Sequence, residues 1–306
     1  MPRTLTVGLD GSPESLAAAD WAGREAALRD LTLRLIHASQ WQSPLYAPRS
    51  ALGIPVPPPG LQHDCAQRLL DEARSRVARR HPDLTIESDD VPGLPAQALI
   101  EAARDTDLLV LGSRGLGKVA GFLLGSVSLT VLAGSERPVV LVRSPHPDPP
   151  AGPDGTTDSA PGGDPERGDV VLGLDLRQPG TAVIDFAFEE ASRRAARLRV
   201  VHGWTLPPYF YGGDLLPEAR DDLGTRVERR LADVLEPWRR RFPAVEVAPR
   251  TAVGDAGELL VDASHDAALA VVGRRIRRAA VGRHIGPVVQ ALAHHGTAPV
   301  AVVPHD

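Results

Sequence analysis

The stretch at residues 107–126 reads DLLVLGSRGLGKVAGFLLGS, an apolar run followed by a glycine-rich segment. Its short apolar run, residues 108–111, follows an acidic residue, which is typical of a buried strand in a parallel sheet. The strand leads into a glycine-rich loop, and a helix is predicted to start at Gly125 and Ser126. Backbone N–H groups, a hydroxyl and a helix N-terminus would therefore meet at one point, and all three favour a bound phosphate.

The bulk composition limits the class of protein. The chain has 306 residues, of which 42% are hydrophobic and only 4% aromatic, so we expect two domains with aliphatic cores. A net charge of −5 gives no reason to expect a nucleic-acid partner. Cys65 is the one cysteine, which excludes an intrachain disulfide and a cysteine metal site. No apolar run suits a membrane span or a signal peptide, so we expect a cytoplasmic protein without a membrane partner.

The chain repeats itself. Four segments recur in the same order, two at an offset of 165 residues and two at 161: VGLD at 7–10 as LGLD at 172–175, LIH at 35–37 as VVH at 200–202, VLG at 110–112 as VVG at 271–273, and PV at 138–139 as PV at 299–300. Matching order with stable offsets indicates a tandem duplication. The stretch between the copies is rich in Pro, Gly and Asp, which predicts a disordered linker. We therefore expect domains at 1–144 and 169–306, joined by a linker at 145–168.

Strands and helices alternate within each copy. In the first copy, apolar runs predict five strands, at residues 5–10, 31–38, 84–90, 108–112 and 139–142. Helical spacing and start signals predict helices at 13–29, 61–81, 95–104 and 125–133, with a proline-rich loop at 41–60. This alternation predicts an α/β fold in which each domain is an open five-stranded parallel sheet with helices on both faces. Such sheets bind ligands at the carboxyl ends of their strands, where Asp10 and Gly112 would lie.

Two familiar phosphate-binding loops do not fit this stretch. Gly112-x4-Gly117-Lys118 begins like a Walker A loop, but Val119 stands where that loop needs Ser or Thr. Gly115-x-Gly117-x3-Gly121 misses the dinucleotide-binding spacing by one residue. A third interpretation, in which the glycines only form a turn between strand and helix, stays open.

The pattern that remains is Gly-x2-Gly-x9-Gly-Ser, at Gly112, Gly115, Gly125 and Ser126. Together with the aspartate of VGLDGS at 7–12, it resembles the tandem, ATP-binding type of universal stress protein. The resemblance extends to the second strand, the last helix and the last strand, and it covers everything except the linker. It implies a Rossmann-like fold of the adenine-nucleotide alpha-hydrolase type in both domains.

The resemblance also implies a nucleotide site in the first domain. Asp10 and the backbone around it would lie beside the adenosine, and the backbone of Ala38 would contact the adenine. Glycines would let the loop approach the ribose and phosphates, and hydroxyls at the start of the last helix would hold the phosphates. The implied ligand is ATP, with or without Mg²⁺, and no catalytic or metal-ligating residue is implied. The implied binding residues are Gly8, Leu9, Asp10, Ala38, Gly112, Ser113, Arg114, Gly115, Gly125, Ser126, Val127 and Ser128.

The second copy departs from this pattern. Ile276 replaces the second glycine, Pro287 replaces the phosphate-binding serine, and Leu176-Arg177 replaces the Gly-Ser that follows Asp10. We therefore expect weak or altered nucleotide binding in this copy. Its loop is rich in arginine. These side chains either meet a different anion or, as we expect, are exposed: Arg274, Arg275, Arg277, Arg278 and Arg283.

These observations favour an ATP-binding regulatory protein of the stress response. No activated nucleophile or carboxylate pair is evident, so we expect at most slow hydrolysis. Three alternatives stay open: a nucleotide-independent scaffold or interaction module, a true ATPase or nucleotide-transferring enzyme of a related fold, and a site for AMP or cyclic AMP. His37 and His202 occupy equivalent positions and are interpreted as hydrogen-bonded structural residues. The fifth strands, 139–142 and 300–303, are predicted to pair, either as a pseudo-dimer within the chain or in a homodimer.

Overall fold

The computed structural model describes residues 3–39, 59–113, 124–144, 168–205, 217–276 and 285–306. These residues form two compact units, one within residues 3–144 and the other within residues 168–306. The predicted linker at 145–168 lies outside the described residues except for its last position. So does the predicted loop at 41–60, except for its last two residues, which open a helix.

The first unit alternates strand and helix, as predicted. Its strands are β1 (Thr4–Leu9), β2 (Thr32–Ser39), β3 (Ile86–Pro92), β4 (Leu108–Gly112) and β5 (Val139–Val142). Its described helices are α1 (Pro13–Arg29), α2 (Pro59–Arg80), α3 (Pro95–Arg104) and α4 (Ser126–Gly134). The predicted bounds agree with the structure to within two residues at nearly every end, because Pro and Ser start signals and short apolar runs mark those ends clearly.

All strand pairs within the first unit are parallel, and their order is β3-β2-β1-β4-β5. The helices α1 and α2 pack together on one face of the sheet, and α3 and α4 pack together on the other. From β1 the chain moves outward through β2 and β3, then returns to the other side of β1 with β4. The carboxyl ends of β1 and β4 therefore flank the point where the strand order reverses, which is where sheets of this kind bind ligands.

The start of α1 follows the predicted chemistry. Ser12 is the N-cap, its side-chain oxygen accepts a hydrogen bond from the backbone N–H of Ser15, and Pro13 is the first helical residue. Proline suits that position because its missing N–H would have no partner there. With this cap, the first turn of α1 starts shortly after β1 in the chain and lies next to the carboxyl end of that strand.

The second unit has the same architecture. Its strands are β6 (Asp169–Gly173), β7 (Leu198–Trp204), β8 (Val247–Val253), β9 (Ala267–Arg275) and β10 (Val300–His305), all parallel in the order β8-β7-β6-β9-β10. Its described helices are α5 (Thr181–Arg193), α6 (Pro217–Arg241), α7 (Ala256–Ala263) and α8 (Pro287–His295). Both units therefore confirm the predicted fold class, an open five-stranded parallel sheet with helices on both faces.

Aliphatic side chains build the sheet cores, as the composition predicted. In the first unit Leu5, Leu33, Leu35 and Leu108 are fully buried. Thr6 is an exception, since it is buried in β1 and its hydroxyl has no hydrogen-bond partner among the described residues. The second unit has Val171 at the equivalent position, also fully buried.

The duplication predicts a reciprocal pair of stability changes. Thr6→Val removes a buried, unpaired hydroxyl and should raise the free energy of unfolding by about 1 kcal/mol, because the group is hydrated only in the unfolded chain. Val171→Thr should lower it by about the same amount. Urea unfolding followed by circular dichroism measures both. A stabilising Val171→Thr or a destabilising Thr6→Val would contradict this account.

An ion pair joins α1 to α2. Asp20 accepts hydrogen bonds from Arg76 at 2.7 and 2.8 Å, and its side chain is only 12% exposed. Burial alone would raise the pKa of Asp20, but hydrogen bonds and positive charge from Arg76 and Arg80 outweigh it, and the pKa is lowered. The second unit has a looser counterpart, in which Asp185 and Arg241 are 38% and 59% exposed.

The lowered pKa of Asp20 predicts a pH-dependent contribution to stability. The contribution is fully present above the unfolded-state pKa of about 4 and is lost as the pH falls through the lower folded-state value. Asp20→Asn should therefore cost about 2 kcal/mol at pH 7, and its difference from wild type should shrink below about pH 4. The matched control Asp185→Asn should cost less than about 1 kcal/mol, because its ion pair is solvated. Urea titrations at pH 7 and pH 3.5 measure both, and equal losses at pH 7 would refute the prediction.

Candidate functional site

A cavity of about 390 Å³ opens at the carboxyl ends of β1, β2 and β4 in the first unit. It lies at the reversal of strand order, between the sheet edge and the amino-terminal parts of α1, α3 and α4. Its size falls in the usual range of small-ligand pockets. The lining residues are Gly8, Leu9, Asp10, Ser15, Ile36, His37, Ala38, Pro95, Leu99, Leu111, Gly112, Val127 and Ser128.

The cavity brings together seven of the sequence-predicted site residues: Gly8, Leu9, Asp10, Ala38, Gly112, Val127 and Ser128. Three others lie close by in sequence but do not line it: Ser113, Gly125 and Ser126. Arg114 and Gly115 lie outside the described residues, together with Lys118. The roles assigned to all of these residues stay predictions.

Six lining residues were missed by the sequence reasoning. Ile36, His37 and Leu111 are strand neighbours of predicted residues, so the strand assignments alone could have suggested them. Pro95 and Leu99 come from α3, which packs against β1 and β2. No spacing or motif in the sequence reports that packing, since it depends on how helices pair on one face of the sheet. The sixth, Ser15, faces the cavity from the first turn of α1.

Asp10 is held by a turn and by two serines. One of its carboxylate oxygens, Oδ1, accepts from the backbone N–H of Ser12 at 3.0 Å and from the Ser12 hydroxyl at 2.6 Å. The Ser15 hydroxyl donates to the carbonyl of Ser12 at 2.9 Å and accepts from the N–H of Asp10 at 3.4 Å. Gly11 takes a φ of +83°, which side-chain-bearing residues rarely adopt, so the turn needs glycine there. The Asp10 carboxylate is therefore set in one orientation at the wall of the cavity.

His37 fixes the end of β1. Its Nδ1 lies 2.9 Å from the carbonyl oxygen of Leu9, and since a carbonyl only accepts, Nδ1 carries the proton. In the second unit His202 makes the same contact with Leu174, at 2.8 Å. Both histidines are therefore hydrogen-bonded strand residues, as predicted, and the ring of His37 also lines the cavity.

Gly112 is required for packing at the end of β4. A Cβ on Gly112 would lie 2.9 Å from backbone atoms of Glu14 and Ser15, which is closer than a carbon side chain can come. The hydroxyl of Ser128 donates to the Gly112 carbonyl at 3.0 Å, which ties α4 to the same point. The first turns of α1 and α4 therefore both converge on the carboxyl end of β4.

Ser113 and Gly125 close the base of the loop between β4 and α4. The N–H of Ser113 donates to the carbonyl of Val142 at 2.8 Å, and the N–H of Gly125 donates to the carbonyl of Ser113 at 3.1 Å. Gly125 is the N-cap of α4 and supplies no side-chain acceptor for the first N–H groups of the helix, while Ser126 is exposed. An anion at this end of α4 would meet backbone N–H groups and a positive helix dipole.

The second unit differs most at the positions equivalent to the serines. At the offsets of the duplication, Ser12, Ser15, Ser126 and Ser128 are replaced by Arg177, Gly180, Pro287 and Val289. Pro13 would correspond to Gln178, yet α5 begins only at Thr181, so its first turn is set back from the sheet edge. The imidazole of His305 lies in that space, because a Cβ on Gly273 would come within 2.7 Å of its Nε2.

The second unit is also closely packed at the position equivalent to Ala38. Gly203 replaces Ala38, and a Cβ on Gly203 would lie 2.9 Å from Cα of Ala256 at the start of α7. Arg274 is only 8% exposed, so the expectation that the loop arginines are solvated is wrong for this one. Arg274 is buried because it belongs to β9, which extends to Arg275. The side chain of Arg275 is exposed. The other three arginines lie outside the described residues.

The fold indicates a protein that is built from two repeats of one α/β domain, and comparisons with known proteins agree. The model of the universal stress protein family matches residues 1–143 and 166–304. A universal stress protein of Mycobacterium tuberculosis is 31% identical over 311 residues, covering 97% of this chain and 95% of that protein. The chain belongs to the universal stress protein family and carries two repeats of its domain.

Solved structures agree on the fold. The crystal structure of a universal stress protein from Archaeoglobus fulgidus aligns with a TM-score of 0.68 at 16% identity, over 99% of this chain and 98% of that chain. A universal stress protein crystallised in complex with cAMP is 35% identical, covering 47% of this chain and 98% of its own, with a TM-score of 0.34. The cAMP is a ligand of that protein.

Two features are absent from the part of the chain that the structure describes: a membrane-spanning helix and a cluster of metal-binding side chains. None of the helices that the described residues form is long and apolar enough to cross a membrane. In the same part of the chain, no three His, Cys, Asp or Glu side chains are grouped to hold a metal ion.

The packing at Gly112 predicts a large effect from one methyl group. Gly112→Ala should lower the free energy of unfolding by about 2 kcal/mol, because the new Cβ must displace backbone of α1 and not a flexible side chain. Gly286→Ala is the control, since a Cβ there meets nothing within 4 Å. Urea unfolding measures both variants, and equal small effects would contradict the close approach at Gly112.

Proposed function

We propose that this protein is an adenine-nucleotide-binding regulator of the stress response that acts in the cytoplasm. Its nucleotide, ATP with or without Mg²⁺, is held by the first unit, and the second unit is mainly structural. Hydrolysis is slow at most, because among the described cavity residues no nucleophile is paired with a general base. The observation that carries the proposal is the cavity itself, which gathers seven of the predicted residues from separate elements at one sheet edge.

The chemistry of the cavity suits a nucleoside. Its walls are largely aliphatic, from Ile36, Leu99 and Leu111, which suits a flat base. The Asp10 carboxylate accepts hydrogen bonds and would face a donor of the nucleoside, either a ribose hydroxyl or the adenine amine. The start of α4 lies next to Gly112 and would receive the phosphates, so base, sugar and phosphate each have a matching surface.

Nucleotide binding in the second unit is proposed to be weak or absent. The imidazole of His305 occupies space beside Gly273, and α7 lies close to Gly203. Pro287 begins α8 and has neither an N–H nor a hydroxyl to donate to a phosphate. The expected stoichiometry is therefore one nucleotide per chain.

Native mass spectrometry and calorimetry test this proposal together. We expect one adenine nucleotide per chain, and titrations with ATP, AMP and cAMP, each with and without Mg²⁺, identify the preferred ligand. The same spectra report the number of chains in the assembly, which separates a homodimer from a single chain. The absence of both bound nucleotide and a heat of binding would favour a nucleotide-independent scaffold. Two nucleotides per chain would contradict the structural role of the second unit.

A negative charge at the start of α4 tests whether the phosphates bind at this end of the helix. Ser126→Glu should weaken ATP binding about tenfold or more, because the carboxylate repels the phosphates. It should leave the affinity for uncharged adenosine nearly unchanged. The matched variant Pro287→Glu puts the same charge at the start of α8 and should not affect ATP binding. Equal weakening of ATP and adenosine by Ser126→Glu would argue against phosphates at this helix.

A further inference from the structure

Ser12 makes two hydrogen bonds through one buried hydroxyl. The oxygen accepts from the backbone N–H of Ser15 at 3.1 Å, which caps α1. The hydrogen is donated to Oδ1 of Asp10 at 2.6 Å, and the backbone N–H of Ser12 donates to the same oxygen at 3.0 Å. The Ser12 residue is only 1% exposed, so water does not compete for these contacts. One side chain thus links the start of a helix to a carboxylate in the cavity wall.

The second unit shows which of these contacts the fold needs. Arg177 stands at the position of Ser12, and its backbone N–H still donates to Oδ1 of Asp175, at 2.9 Å. The hydroxyl contact has no counterpart there, because arginine has no hydroxyl. The N-cap of α5 is Gly180, which makes no side-chain cap. A unit of the same fold therefore forms without a hydroxyl contact to its aspartate, so that contact is not a requirement of the architecture.

We propose that Ser12 is a positioning residue that holds the Asp10 carboxylate in its nucleoside-binding orientation. This inference rests on the proposed nucleotide site. A second donor on the same carboxylate oxygen restricts the rotation of the Asp10 side chain more than the backbone N–H of Ser12 does alone. A ligand that binds a preset carboxylate loses less free energy to ordering, so the hydroxyl contributes affinity without touching the ligand.

Substitutions at Ser12 separate the cap from the positioning role. Ser12→Thr retains both the helix cap and the hydrogen bond to Asp10, so it should bind with wild-type affinity. Ser12→Ala loses both interactions. Ser12→Gly keeps most of the cap, since glycine is well tolerated at an N-cap in place of serine, but it has no hydroxyl to donate to Asp10 and adds no charge beside it. A cap role alone predicts that the Gly variant binds nearly like wild type, whereas the positioning role predicts that it binds as weakly as the Ala variant, about tenfold below wild type.

The measurement is calorimetric titration with adenosine and with ATP, alongside urea unfolding of each variant. Adenosine has no phosphate, so a loss of its affinity in Ser12→Gly does not arise from a change at the phosphate end of the site. The expected result is near-wild-type stability with weak adenosine binding for Ser12→Gly. Wild-type adenosine affinity in Ser12→Gly or Ser12→Ala would overturn the inference. Arg177→Ala, at the same position of the second copy, is the matched control and should bind like wild type.

A double-mutant cycle tests whether Ser12 acts through Asp10. In an Asp10→Ala background the hydroxyl has no carboxylate to orient, so Ser12→Ala should weaken adenosine binding no further. If the two effects multiply, Ser12 acts independently of Asp10 and the inference is wrong. Wild-type protein that binds neither adenosine nor ATP would overturn the proposed function and this inference with it. Wild-type binding together with multiplicative effects would overturn this inference alone.

Discussion

At Gly112 the carboxyl end of β4 approaches the backbone of Glu14 and Ser15 so closely that no side chain fits between them. This contact fixes the first turn of α1 against the sheet, and Ser128 fixes α4 to the same residue through the Gly112 carbonyl. The cavity exists because two helix starts converge on one strand end beside the reversal of strand order. A side chain at this position would separate α1 from β4 and displace Asp10, which lies just before the helix.

Because the chain is duplicated, its two units can be compared with each other. Features that both units share belong to the fold: the strand order, the histidine that contacts the end of the first strand, and the backbone N–H that donates to the aspartate. Features of the first unit alone belong to its cavity, chiefly the four serines near the sheet edge. In the second unit those positions carry residues without a hydroxyl, α5 starts later, and His305 occupies space beside Gly273. The second unit therefore retains the architecture of the first but lacks its serine hydroxyls at the edge of the sheet.

Under the proposed function, the cavity of the first unit is a preorganised binding site. The Asp10 carboxylate, the Leu9 carbonyl and the start of α4 are each held by hydrogen bonds within the protein. Preset groups of this kind favour binding, since little ordering remains when the ligand arrives.

The sequence alone was enough to predict the duplication, the alternation of strands and helices, and most of the strand and helix bounds. These depend on local signals such as apolar runs, the Ser12-Pro13 start and the spacing of the glycines. It also identified the seven predicted residues that line the cavity. Only the tertiary structure brought in Pro95 and Leu99, because helix pairing across a sheet face leaves no periodic signal. It alone assigned Gly112 to packing and paired the Ser12 hydroxyl with Asp10, since close contacts between elements depend on three-dimensional distance and not on spacing along the chain.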